Sequence, residues 1–429
     1  TLPGFTLDVC SAFHPLALTS PFMHSLNLPA HGVDWIFPPY ALAHPLDGRR
    51  AVLVNASLAL TATALGNDAA AYCRLLQPLL DRYTDLMSYL LSPLRLPCSP
   101  LKLAGFGLHA LRSASGLART IFRTEEARAV FAGMAAHGML PLEQAGTASF
   151  GLVLALAAHA VGWPLVKGGS QRVMDAMAEI LRELGGEIVT GQRVTRIDQL
   201  PPSRVQLLDV SPKELLTITG ETLPATYRNH LQRYRYGPGV FKVDWALSAP
   251  IPWANTEIAG AATVHLGGTL EEIAASERAV ASWQIPKNPY VLLVQPSLFD
   301  PTRAPVGKHT AWAYCHVPNG STFDMREAIE NQVERFAPGF RQVILAAHMR
   351  NAIEYERYNP NYVGGDINTG AQDLGQLFTR PVPRWDSYAT PLSGVYLCSS
   401  ATPPGGGVHG MCGYHAACSA LKHDFKITS

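Results

Sequence analysis

The feature that most constrains the fold is a glycine-rich turn near the end of the chain. In "GVYLCSSATPPGGGVHGMCGYHAACSAL", Gly405, Gly407 and Gly410 have the spacing G-x-G-x-x-G, between a strand-like run and a helix-like run. Such a turn is typical of pyrophosphate sites when a second strand and an acidic residue follow about 20 positions later. Fewer than 20 residues follow Gly410 in this chain of 429. We therefore expect the turn to serve another purpose.

Two interpretations of this turn stay open. Pro403 and Pro404 restrict the backbone before it, and residues 405–407 allow the chain to pass close to a ligand. The helix that follows has free N–H groups and a partial positive charge at its start, which suits an anionic or electron-rich ligand group. The alternative is a tight strand-to-helix connection without a ligand.

Composition indicates a large folded protein and argues against nucleic acid as a partner. Hydrophobic residues make up 47% of the chain and charged residues 16%, so the core is extensive and two or more domains, or an interleaved pair, are expected. Lys and Arg number 34 against 33 Asp and Glu. This balance leaves no basic surface of the kind that binds nucleic acid.

Cysteine usage and the termini indicate a reducing, cytoplasmic compartment. The seven cysteines form no C-x-x-C motif, and the first residues have neither a basic nor a continuous apolar signal region. The chain does not begin with Met, so we expect a processed or truncated start. The apolar run 150–166 is short for a membrane span and contains His159 and Pro164, which favours a core helix. Peripheral membrane contact and the oligomeric state stay open.

The pattern of hydrophobic residues predicts an α/β protein. Apolar spacings of three and four predict a helical block over 66–160, and strands are predicted at 240–247, 290–295 and 309–317, with a mixed sheet over 236–350. Between them, 167–197 indicates an amphipathic helix that ends at Gly185 and Gly186, and then two strands, "EIVT" and "RVTRI". A further strand is predicted in "VQLLDVSP". This order suggests two interleaved domains.

Several of these segments together resemble FAD-dependent oxidoreductases of the phytoene-desaturase and amine-oxidase type, and most of all the bacterial phytoene-dehydrogenase-like branch. The resemblance is carried by "TLPGFTLDVCSAFHPLALTSPF", "GWPLVKGGSQRVMDAMAEILRELGGEIVTGQRVTRI", "LLDVSPKELL", "YGPGVFKVDWAL", "NPNYVGGDIN" and the C-terminal turn. It implies a Rossmann-like FAD/NAD(P)-binding domain, formed by 165–215 and 387–429. It also implies a substrate domain of mixed sheet and helices, formed by 1–164 and 216–386.

The resemblance also implies where FAD would lie. The C-terminal turn would lie beside the ribityl chain and the pyrimidine side of the flavin, and Val194 beside the adenine. The family opens with a strand, a G-x-G-x-x-G turn, a helix and a strand ending in an acidic residue, and this βαβ unit is missing here. We expect a fragment of a longer protein or a degenerate member. The implied cofactor-binding residues are Val194, Ser400, Gly405, Gly406, Gly407, Val408 and Gly413.

Lys242 is the candidate catalytic residue, because flavin enzymes need few groups beyond one that carries positive charge or relays a proton. Lys242 and Asp244 share one face of the predicted strand, so a purely structural or solvent-facing pair is the alternative. Other candidates have simpler explanations as turn, loop or core residues. They are Asp366, His14, His409, Trp245, Trp253 and Trp312.

No common metal or hydrolase motif is present in the sequence. Cys412, His415 and Cys418 share a helix face at intervals of three, but they lack a signalled fourth ligand, so helix packing is preferred to a zinc site. We expect no metal.

The resemblance implies oxidation or dehydrogenation of an apolar or amphipathic small molecule. Two alternatives stay open. One is a catalytically silent member that acts as a binding or scaffold protein. The other is an isomerase or hydratase that uses flavin without net redox change.

Overall fold

The computed structural model describes residues 2–93 and 100–427. Its centre is a seven-stranded mixed sheet in the order β10-β6-β9-β8-β7-β2-β3, and two two-stranded sheets, β1-β4 and β11-β5, lie outside it. The strands are β1 Trp35–Ile36, β2 Tyr40–Leu46, β3 Arg50–Asn55, β4 Leu165–Val166, β5 Gln206–Leu208, β6 Gly239–Leu247, β7 Ala261–Leu266, β8 Val291–Val294, β9 His309–Val317, β10 Ile344–Arg350 and β11 Val395–Leu397.

Helices cover the sheet and connect its strands. They are α1 Pro15–Thr19, α2 Pro21–Ser25, α3 Leu58–Ala64, α4 Ala69–Leu80, α5 Tyr83–Leu90, α6 Pro100–Ala110, α7 Ala114–Ile121, α8 Glu125–Ala135, α9 Ala148–Ala160, α10 Gln171–Glu183, α11 Pro212–Thr219, α12 Ala225–Gln232, α13 Leu270–Ala281, α14 Arg326–Phe336, α15 Ala352–Tyr358, α16 Leu374–Leu377 and α17 Met411–Asp424.

One parallel pair makes the central sheet mixed. β2 runs parallel to β7, whereas the other neighbours in the sheet are antiparallel. β2 and β3 form a hairpin at one edge of the sheet, and β2 precedes its parallel partner β7 by about 200 residues. The predicted strands at 240–247, 290–295 and 309–317 are confirmed as β6, β8 and β9.

The two faces of this sheet have different partners, because successive side chains along a strand point to opposite sides. Val243, Leu293 and Ala313 belong to one apolar cluster, which Val333 of α14 completes. Leu292, Val294 and Trp312 face the other way and pack with the helical block.

The helical block predicted for 66–160 is confirmed as α4 to α9, with α3 just before it. At its centre, eight of the eleven residues of α8 are buried, most of them small, and the N-cap Thr124 accepts a hydrogen bond from Ala127 N. The apolar run 150–166 is confirmed as a core helix: α9 has 13 residues and packs against α8. Within the described part of the chain, no helix has the length and apolar character needed to cross a bilayer.

A smaller unit surrounds the parallel pair β5 and β11. α17 follows β11 and packs against both strands. Leu215 of α11 and Leu231 of α12 join Leu208 and Leu397 in one apolar cluster. The predicted domain boundary between residues 215 and 216 therefore falls inside α11.

The predicted strands "EIVT" and "RVTRI" are wrong. Residues 187–196 lie outside any strand or helix, and Ile188 and Val189 are 40% and 67% exposed. A strand needs a neighbour to pair its N–H and C=O groups, and the described residues provide no such neighbour for this segment. The helix before it, α10, is present and ends beside Gly185 and Gly186.

Candidate functional site

A cavity of about 520 Å³ lies between the central sheet and the C-terminal turn. Five parts of the chain supply most of its lining: the N-terminal segment 9–16, the sheet face, the helical block, the segment 355–369 and the turn before α17. Its volume falls in the range of small-molecule and cofactor sites.

The floor of the cavity is one face of the sheet, and strand register determines which residues form it. Lys242 on β6 pairs with Tyr314 on β9, which in turn pairs with Leu292 on β8. Two residues away from Tyr314 on β9, and on the same face of the sheet, Trp312 pairs with Val294 on β8. These five residues line the cavity together with Thr263 on β7. Side chains that lie far apart in sequence thus form one surface.

Lys242 is a buried ammonium at this floor. Its side chain forms an ion pair with Asp244, its Nζ donates a hydrogen bond to Asp8 O at 2.9 Å, and it lies 4.9 Å from the centre of the Trp312 ring. Burial lowers the pKa of Lys242, and Asp244 opposes that shift. The structure therefore places the predicted catalytic residue at the cavity, and it also confirms the pair with Asp244.

The N-terminal segment forms a wall that is fixed from behind by a buried ion pair. Arg303 Nη2 donates to Asp8 Oδ2 at 2.5 Å, with the two side chains 1% and 6% exposed. Asp8 Oδ1 accepts from Ser170 N, and Arg303 Nε donates to Thr6 O. Residues 9–16, which follow Asp8 directly, are held against the cavity in this way.

The C-terminal turn is held in shape by His409. Its Nδ1 accepts a hydrogen bond from Met411 N at 3.0 Å, so its Nε2 carries the proton and donates to Gly405 O at 3.2 Å. Burial lowers the pKa of His409 to about 4, which keeps the ring neutral. His409 is thus a satisfied loop residue, as its simpler explanation predicted.

Backbone N–H groups without partners concentrate at this turn. Within the described residues, Ser399, Ser400 and 406–408 donate no main-chain hydrogen bond to the protein, and all five line the cavity. Arg380 lies behind the turn, is 1% exposed, and donates through Nη1 to Ser400 O at 3.0 Å. The unpaired N–H groups, the guanidinium and the start of α17 give this end of the cavity a positive character.

The structure brings together most of the predicted cofactor residues but not all. Ser400, Gly406, Gly407 and Val408 line the cavity, and Gly405 is buried in the same turn. Gly413 lies in the first turn of α17, outside the lining, and among the described residues no atom outside the helix's own backbone lies within 4 Å of the position that a Cβ would occupy. Val194 is a partly buried residue outside the cavity lining. Their contact with a cofactor stays a prediction.

The other candidates have structural explanations or lie in the wall. Asp366 is fully buried and accepts hydrogen bonds from Gly237 N, Asn368 N and Gly370 N, so it organises a turn. Trp245 and Trp253 lie in the core on the opposite face of the sheet, whereas Trp312 lines the cavity.

His14 also lines the cavity. Its Nε2 donates to Ser170 Oγ at 3.0 Å, because that hydroxyl already donates to Ser11 O. Burial lowers the pKa of His14 to about 4, so the ring is neutral at pH 7.

The predicted helix-packing role of Cys412 and His415 agrees with their contacts. Cys412 Sγ lies 3.4 Å from Gly405 O, and His415 Nε2 lies 3.0 Å from Leu91 O. Both side chains are directed to main-chain carbonyls of neighbouring segments and not to a shared point.

Sequence reasoning missed several wall residues. His137, Trp163 and Asn361 come from the helical block and from distant loops, and each lines the cavity. The one signal for Asn361 was its place in "NPNYVGGDIN", a segment that carries the resemblance. Nothing in the sequence around His137 separates it from an ordinary core residue.

Comparison with known proteins agrees with this architecture. No protein-family model matches the chain. Over 294 residues it is 29% identical to the rat protein called pyridine nucleotide-disulfide oxidoreductase domain-containing protein 2, covering 59% of this chain and 50% of that protein. A phytoene desaturase of Fusarium fujikuroi is 29% identical over 212 residues, which cover 47% of this chain and 36% of the desaturase.

A solved structure extends the similarity to the whole chain. A triple mutant of putrescine oxidase, made to redesign cofactor binding, superposes with a TM-score of 0.60 at 16% identity and covers 100% of this chain and 90% of its own. The chain has the fold of the FAD-dependent amine oxidase-like oxidoreductases. This confirms the predicted fold class and the resemblance to phytoene desaturases. The chain spans about half the length of the first curated relatives that it matches.

Proposed function

We propose that this chain is a FAD-dependent oxidoreductase that dehydrogenates an apolar or amphipathic small molecule. The observation that carries the proposal is a cavity whose lining combines two unlike groups of residues. At the C-terminal turn, the backbone N–H groups of residues 399, 400 and 406–408 have no main-chain partner among the described residues. Elsewhere the lining includes the apolar side chains of Leu154, Leu292, Val294 and Trp163.

The turn fits the electron-rich ring system of a flavin. The backbone φ of 139° at Gly407 favours glycine, and a Cβ there would lie 2.8 Å from Leu16 Cδ1, so Leu16 would have to move to admit a side chain. Unpaired N–H groups beside a buried guanidinium would stabilise negative charge on a reduced flavin. Ser400, Gly406, Gly407 and Val408 are the residues that would hold it.

FAD, when bound, supplies the acceptor for a hydride from the substrate. The protein contributes position, exclusion of water and one proton-carrying group. Lys242 lines the cavity, and its Nζ is held by Asp8 O and Asp244, so it holds a proton at a fixed point. Its lowered pKa brings proton release closer to neutral pH. The apolar sheet face would orient a substrate with little polarity.

The first experiment is a visible absorption spectrum of the chain, purified after expression with excess riboflavin. We expect a bound-flavin spectrum near stoichiometric occupancy, with bleaching when substrate reduces the flavin anaerobically. A folded but colourless protein would contradict flavin binding by this chain and favour the binding or scaffold alternative. Turnover of a substrate without net redox change would favour the isomerase or hydratase alternative.

Lys242→Met tests the second part of the proposal. We expect flavin content to persist and the rate of flavin reduction to fall by roughly 10²-fold, the usual effect of removing a proton-transferring group. Lys213→Met is the matched control, because Lys213 forms an exposed pair with Glu356 away from the cavity. If the Lys242→Met protein keeps its flavin and its rate of flavin reduction, the role of Lys242 is structural only.

A further inference from the structure

Three histidines lie together beside the cavity: His44 and His265 are fully buried, and His137 is partly buried and lines the cavity. His44 on β2 and His265 on β7 lie side by side on the same sheet face, because Ala43 pairs with Val264. His137 follows α8, and its Nε2 lies 3.0 Å from His265 Nε2. Burial lowers the pKa of His137 to about 3 and that of His44 to about 4, so these rings are neutral at pH 7. A neutral imidazole has one N–H and one lone pair, and the contacts determine which nitrogen has which.

The position of the proton on His265 follows from its buried Nδ1. Within the described residues this atom has no hydrogen-bond partner and is closed off from solvent. It lies against the backbone of Gly133: a Cβ there would be 2.9 Å away. An unpaired N–H in such a place costs more than an unpaired lone pair. The proton of His265 is therefore on Nε2, from which it donates to His137 Nε2.

His137 must then carry its own proton on Nδ1. That atom makes no hydrogen bond within the described residues and, unlike Nδ1 of His44 and His265, is not closed off by protein. His137 lines the cavity beside Trp163, whose ring centre lies 6.3 Å away at a steep angle. The hydroxyl of Tyr314 is likewise open and, among the same residues, without a partner, and burial raises its pKa, so it stays protonated.

We propose that the His137 Nδ1–H donates a hydrogen bond to an uncharged acceptor oxygen of the ligand, of the carbonyl type. The inference rests on the proposed function, because it takes this ligand to be the substrate of the oxidoreductase. It names the substrate class: an otherwise apolar molecule with one carbonyl group. An open N–H in an apolar wall selects for an acceptor, because a ligand without one leaves the donor unpaired. A carbonyl offers two lone pairs and no competing donor.

The proton position is tested without any ligand. Long-range ¹H–¹⁵N correlation spectra of the ¹⁵N-histidine-labelled chain distinguish the two neutral forms, and His137→Gln assigns the signal. We expect the Nδ1-protonated form at His137. The Nε2-protonated form would overturn the proposal.

Binding is tested with three matched probes: 2-acetylnaphthalene, 1-(2-naphthyl)ethanol and 2-ethylnaphthalene. Quenching of tryptophan fluorescence reports their affinities, since Trp163 and Trp312 line the cavity. We expect the ketone to bind about five- to tenfold more tightly than the hydrocarbon, the effect of one satisfied hydrogen bond. We expect the alcohol to fall between them. The carbonyl stretching band of the bound ketone shifts to lower frequency.

His137→Phe should bring the ketone-to-hydrocarbon ratio close to one and remove the frequency shift. His137→Gln, which keeps a donor, should retain part of both, and the exposed His230→Phe should change neither. A ratio that His137→Phe leaves unchanged, or failure of the intact chain to prefer the ketone, would overturn the proposal. These readouts do not require flavin, so a colourless chain would overturn the proposed function without affecting them.

Discussion

At Gly407 the backbone itself determines what the position tolerates. Its φ of 139° disfavours any larger residue, and a Cβ there would lie 2.8 Å from Leu16 Cδ1, so the Leu16 side chain would also have to shift. Gly413, six residues later, lies within α17, and in the described part of the chain no atom outside the helix's own backbone lies within 4 Å of its Cβ position. Two residues predicted to bind the same cofactor thus differ in their local constraints.

Gly407→Ala should therefore abolish flavin binding, whereas Gly413→Ala should leave it within about twofold, because strain arises only at the first position. Flavin content of the two purified variants, measured by absorbance against protein concentration, checks this. Equal flavin content in both variants would contradict the role of the turn.

The two positions also show how much of the site could be predicted from the sequence. Glycine spacing located the turn, because conformational freedom is a local property of a residue type. His137 could not be found in the same way, since its role depends on contacts with His265 and on the wall that Trp163 completes. Such contacts join residues far apart in the chain.

At the scale of elements, α8 packs so closely on the sheet that one methyl group matters. A Cβ at Gly133 would lie 2.9 Å from Nδ1 of both His44 and His265. Gly133→Ala should lower the free energy of unfolding by roughly 1–3 kcal/mol through overpacking. Urea denaturation measures this change.

Gly105→Ala in α6 is the matched control, because among the described residues no atom outside the helix's own backbone lies within 4 Å of its Cβ position. Alanine has the higher helix propensity, so this variant should gain up to about 1 kcal/mol. A Gly133→Ala protein as stable as the Gly105→Ala protein would contradict the close packing of α8 on the two histidines.

Pairing between elements explains why some of the predicted strands are present and others are not. β6 and β9 consist almost entirely of buried residues, and each has a neighbouring strand on both sides. Residues 187–196 have similar β-branched residues but remain unpaired in the described part of the chain. Residue preference marks a segment as suited to a sheet, whereas pairing depends on the rest of the fold.

At the scale of the whole molecule, one buried ion pair joins residues that are almost 300 positions apart. Arg303→Met would leave the Asp8 carboxylate buried without its partner, at a loss of about 3–5 kcal/mol in unfolding free energy. Arg278→Met is the control: its pair with Glu143 is exposed, so a loss of at most about 1 kcal/mol is expected. Thermal or urea unfolding compares the two, and similar losses would contradict the role of the buried pair.

Buried neutral histidines also determine how the fold responds to acid. The pKa values of His14, His44 and His409 are lowered from 6.5 to about 4 by burial. Below pH 6.5 the unfolded chain therefore binds more protons than the folded chain, and stability falls until the pH reaches about 4. Each histidine should contribute a loss of roughly 1–2 kcal/mol between pH 7 and pH 5.

Urea midpoints measured between pH 7 and pH 4 check this dependence. His14→Gln should remove about one third of the loss of stability that His14, His44 and His409 together cause as the pH falls. A midpoint that does not change over this range would contradict the burial of uncharged imidazoles.

The parallel pairing of β2 with β7 has a consequence for how the protein is made. The hairpin of β2 and β3 leaves the ribosome about 200 residues before the strand that completes its open edge. At ordinary translation rates this edge stays without its partner for roughly 10 to 40 s. Nascent chains should therefore need a chaperone during that interval, and slower synthesis should lengthen the period in which they can aggregate.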